Sequence, residues 1–84
     1  QAEKEAKRID KADQSVAKIN DKIDKAEKQL DKMKTKLDKS ISRGKLSDVE
    51  VQKENLKISK QELKVSKLEE DLRSAQQKLE KLKL

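Results

Sequence analysis

The chain contains no phenylalanine, tryptophan, tyrosine, proline, histidine or cysteine, and it has one glycine and one methionine in 84 residues. Without aromatic side chains, the largest usual contributors to a compact core are missing. A short chain with 31% hydrophobic residues has too little apolar surface to enclose such a core. Without cysteine and histidine there are no disulfides, no thiolate chemistry, no ordinary zinc sites and no imidazole to shuttle protons. A cysteine-free sequence fits any compartment, so composition does not localise the protein. No apolar run approaches the length of a transmembrane helix or a signal-peptide core.

What the chain does have is charge. It carries 23 Lys+Arg against 17 Asp+Glu, a formal net charge of +6, and 48% of its residues are charged. High charge with low hydrophobicity is the signature of disorder, but the spacing of the apolar residues is not random. Stepping by seven from Ala2 gives Ile9, Val16, Ile23, Leu30, Leu37, Gly44, Val51, Ile58, Val65, Leu72 and Leu79, apolar throughout except at the glycine. The companion series three residues on is Glu5, Ala12, Ile19, Ala26, Met33, Ser40, Ser47, Glu54, Gln61, Leu68, Ala75 and Leu82. A heptad repeat sustained this far, in a composition rich in Ala, Glu, Lys, Leu and Arg, predicts an all-α coiled coil. The chain starts at Gln1 and is still in helical pattern at Leu84, so it reads as one coiled-coil segment excerpted from a longer polypeptide, or as a mature form.

Two arrangements compete. The first is an antiparallel coiled-coil helical hairpin with arms 2–42 and 48–84 and a turn at 43–47. Gly44 sits where a left-handed residue ends a helix, and Ser47-Asp48-Val49-Glu50 is a capping-box pattern that restarts one. Leu46 and Val51 flank that cap with the spacing of a hydrophobic staple. Facing residues whose numbers sum to 91 then pair Ile9 with Leu82, Ile23 with Leu68, Ala26 with Val65 and Met33 with Ile58. The second arrangement is a continuous helix of about 125 Å forming a parallel dimer. It is favoured by the unbroken heptad phase through Gly44 and by β-branched residues in the first series. Charges do not separate the two. The hairpin brings Arg43 near Glu50, Lys22 near Asp71 and Lys34 near Glu62, and exposed pairs of this kind contribute little.

Catalysis has almost no raw material here. The densest acidic cluster, Glu69-Glu70-Asp71, points its side chains about 100° apart around a helix and cannot converge on a metal. One glycine cannot build a phosphate-cradling loop. The sequence therefore predicts no enzyme, no cofactor, no metal and no small-molecule substrate.

Two features point to partners. Lys32, Lys34, Lys36, Lys39, Arg43 and Lys45 stand against Asp38 alone, a basic stretch over 32–45 suited to nucleic acid, an anionic membrane or another anionic partner. The missing aromatics weaken the nucleic-acid version, because nothing is available to stack on bases. The other feature is apolar. Val49, Leu56 and Leu63 repeat at seven residues almost opposite the seam series Val51, Ile58 and Val65, within the near-repeat LKISKQE and LKVSKLE. An apolar line on the back of a helix predicts a second packing surface for another helix or a second copy of the chain. The alternative is a local slip of the seam that turns this line inward and Glu54 and Gln61 outward. The functional expectation is a non-catalytic interaction or scaffold module, a spacer or docking arm. Its alternatives are an electrostatic binder acting through 32–45 and a structural segment of a parallel fibre.

Overall fold

The computed structural model describes residues 2–84 and consists of two helices, α1 over Ala2–Ser42 and α2 over Asp48–Lys83, packed against each other. Helix α1 has 41 residues, which at 1.5 Å per residue is about 62 Å. The molecule measures 65 × 14 × 13 Å, so the chain doubles back on itself as a helical hairpin. Among the described residues there is no strand.

The turn explains why the helix does not run through. Gly44 has φ +64°, a left-handed conformation that side chains with a Cβ adopt only with strain. Around it, the Lys45 amide donates to the Ser40 carbonyl at 3.1 Å and the Gly44 amide donates to the Ile41 carbonyl at 2.9 Å. This crossed pair is the Schellman closure, which satisfies carbonyls that the end of α1 would leave without partners. Three residues later α2 is started from its other side. The Ser47 hydroxyl accepts from the Glu50 amide at 3.2 Å, while the Glu50 carboxylate reaches back to the Ser47 amide at 3.4 Å. Leu46 and Val51, on either side of the cap, are both half-buried, as a staple requires. The unbroken helix of the alternative arrangement is thus interrupted at 43–47.

Between the arms lies a thin seam. Ile23, Ala26 and Leu37 of α1 and Ile58 and Val65 of α2 are buried, and the other heptad residues flanking them are half-buried. Ala26 is the most enclosed, at 4% exposure. Its small side chain leaves the backbone open, and the Gln61 side-chain amide donates to the Ala26 carbonyl at 3.0 Å. That carbonyl points towards the C-terminal end of α1, so a long side chain one turn before Val65 can reach it. The bond gives Gln61, half-buried in the seam, a partner for its donor group. Glu54, the other polar seam residue of α2, pairs with Lys57 one turn on at 3.3 Å. The seam therefore does not slip: both polar residues stay half-buried, and the line Val49, Leu56, Leu63 stays outside. The pairs Arg43–Glu50, Lys22–Asp71 and Lys34–Glu62 are not closed; in the first of them Glu50 is held by its own cap.

Candidate functional site

The two helices differ in how their apolar residues are distributed. Most of those of α1 lie on one side, towards α2, with Ile41 the exposed exception among its large ones, whereas those of α2 lie on two opposed faces. One face of α2 is the seam. The other carries Val49, Leu56 and Leu63 at 59%, 58% and 61% exposure. Seven residues of helix advance about 10.5 Å, so the three side chains form a line of about 21 Å along the outer surface. Burying large aliphatic side chains from water is favourable by about 1.5–3 kcal/mol each. An exposed line of three is thus a surface with free energy to release on contact.

The border of the line is polar and uneven. Lys53, Lys60 and Lys67 run along one side, and Gln52, Ser59 and Ser66 run along the other; all six are exposed. Lysine stems can lie across apolar surface while their ammonium groups stay in water. Shallow depressions open beside Leu56, next to Lys53 and Lys60, and beside Leu63, next to Lys64 and Lys67. They are open surface features with no enclosing wall, suited to side chains of a packed helix.

The basic residues Lys32, Lys34, Lys36, Lys39, Arg43 and Lys45 are all exposed, at the turn end of the hairpin. They are distributed around the end of α1 and the turn. Ile41, at 48% exposure, adds an apolar group to this end. The heptad spacing did not mark it, because Ile41 lies outside both series.

Among the described residues no group of acidic side chains is placed to hold a metal ion, and no helix is long and apolar enough to cross a membrane. No buried polar side chain is left without a hydrogen-bond partner among them, so nothing marks a hidden polar site. The chain matches no protein-family model, no curated protein and no solved structure.

Proposed function

We propose that this chain is a non-catalytic interaction module: an antiparallel coiled-coil hairpin that serves as a spacer or docking arm and receives another helix on Val49, Leu56 and Leu63. The observation that carries this reading is the exposed apolar line on α2, opposite a seam that is already occupied. A helix with one occupied face and one vacant apolar face is half of a further helix–helix contact. The coiled-coil arrangement is supported by the heptad match between buried residues and by the Gln61–Ala26 bond across the arms. It is supported also by a depression bordered by Ala12, Ser15 and Ile19 from the first half of α1 and by Asp71, Ala75 and Lys78 from the last part of α2.

The test is Leu56→Gln with Leu63→Gln, followed by sedimentation across concentration and by circular dichroism. If both leucines are buried in an interface, their loss removes about 3–5 kcal/mol of burial, more than a hundredfold in a dissociation constant. The expected result is an assembly, of the chain alone or with an added helical partner, that the variant loses while it keeps its helicity. Identical masses for wild type and variant under every condition overturn the docking face.

A second reading, an electrostatic contact with an anionic polymer or membrane, is favoured by the six exposed basic side chains gathered at the turn end. Replacing Lys34, Lys36, Lys39, Arg43 and Lys45 by Gln leaves helicity nearly unchanged. In this reading it removes binding to heparin, DNA or anionic vesicles, and wild-type binding falls steeply with salt. Equal binding by both proteins removes the reading.

A further inference from the structure

We infer that the helix received by this face is α2 of a second copy of the chain, lying side by side with it, in register and pointing the same way. The inference rests on the docking reading above and adds the identity and direction of the occupant.

Four rows of residues run along the outer surface of α2. In order around the helix they are Asp48, Asn55 and Glu62; then Gln52, Ser59 and Ser66; then the apolar line Val49, Leu56 and Leu63; then Lys53, Lys60 and Lys67. All are exposed. The second and third rows together have the alternating three- and four-residue spacing of a coiled-coil seam, with large residues in one series and mostly small ones in the other. The first and fourth rows are the flanks of that seam, and they differ in sign: one holds two acids and an amide, the other three lysines.

Direction follows from the flanks. When two such helices pack in the same direction, the acidic flank of each meets the lysine flank of the other. Asp48 then lies near Lys53 of the second copy and Glu62 near Lys67, and the two-fold axis repeats both pairs. Asn55 faces the remaining lysine without cost in charge. When the helices pack in opposite directions, like flanks meet, and lysines stand against lysines along one border and acids against acids along the other. Like-charge juxtaposition of this kind selects against an arrangement. The chain is thus complementary to itself in one direction only.

The acidic flank also argues against a lipid surface as the occupant. The lysine row alone would suit anionic headgroups, but Asp48 and Glu62 border the same stripe and would be pressed against them. The seam is short, because Glu70 and Arg73 take the next positions in its two series. The assembly is therefore small in area and depends on concentration, as in transient contacts.

The chain has no cysteine, so one introduced thiol reads the geometry cleanly. Ser66→Cys is exposed and lies near one end of the seam. Packing in the same direction places the two introduced thiols face to face, whereas the opposite direction sets 66 against 49 and separates the thiols by roughly 25 Å. The expected result is rapid disulfide dimer formation at concentrations where wild type associates, lost when Leu56→Gln and Leu63→Gln are added. Glu62→Lys alone weakens association at least tenfold, and Glu62→Lys with Lys67→Glu restores it. Assembly that depends on the leucines but leaves the thiols at 66 unpaired, with Glu62→Lys tightening it, overturns the direction and keeps the docking face. A wild type that stays monomeric overturns the second copy as occupant, as does leucine-dependent binding to phosphatidylserine vesicles without dimer formation. Assembly indifferent to the leucines overturns the docking face itself.

Discussion

Ile58→Ala is expected to destabilise the hairpin severely, while Leu56→Ala, two residues away on the same helix, leaves the monomer nearly as stable as wild type. Ile58 is 8% exposed and Leu56 is 58% exposed. Truncating a buried isoleucine to alanine costs about 2–5 kcal/mol through lost burial and the cavity left behind. Alanine returns only a few tenths of a kcal/mol in helix propensity. A chain of this length has on the order of 5–10 kcal/mol of stability to lose, and among the described residues its seam has five buried side chains to share the load. A drop in melting temperature of more than about 10 °C follows for Ile58→Ala. Leu56→Ala exchanges two good helix formers at an exposed position and moves the melting temperature of the dilute monomer by little. Thermal melts at low concentration, followed by circular dichroism, check both. Equal destabilisation by the two changes would mean that the apolar line is part of the intramolecular seam.

The second large effect is expected at the turn. Gly44 has open space where a Cβ would stand, so Gly44→Ala is opposed by backbone conformation alone. Placing alanine at φ +64° costs about 1–2 kcal/mol, and losing the Ser47 cap costs on the order of 1 kcal/mol more. Gly44→Ala with Ser47→Ala should therefore lower stability by about 2–3 kcal/mol. In an uninterrupted helix both changes raise helix propensity, by about 1 kcal/mol at the glycine, and the melting temperature rises. The sign of the shift in a thermal melt separates the two architectures without structural data.

The seam and its ends were legible in the sequence because each has a local physical signature. Seven-residue spacing marks Ile23, Ile58 and Val65, and the one glycine followed by Ser47 and Glu50 marks where α1 stops and α2 starts. The conduct of the polar seam residues was not legible. Glu54 and Gln61 register as breaks in an apolar series, and their spacing does not reveal that Lys57 and the Ala26 carbonyl provide partners. For the same reason the sequence favoured the outward apolar line but kept the slipped seam as its alternative: Val49, Leu56 and Leu63 repeat with the same period as Val51, Ile58 and Val65, and period alone does not say which set faces α1. Ion pairs were the least legible. Glu50 is within reach of Arg43 along the chain, yet the Ser47 amide and hydroxyl hold it.

In the proposed module α2 uses two opposite faces, one closed against α1 within the chain and one open to a partner helix. Solvent accessibility of methyl groups, measured by paramagnetic relaxation from an inert soluble probe at low and high protein concentration, reads both faces at once. The Ile58 and Val65 methyls are expected to be shielded at every concentration. Those of Val49, Leu56 and Leu63 are open to the probe in the dilute monomer and become shielded as the chain, or the chain with its partner helix, assembles. Shielding of Leu56 and Leu63 in the dilute monomer, or their full exposure under every condition of assembly, would contradict this use of the two faces.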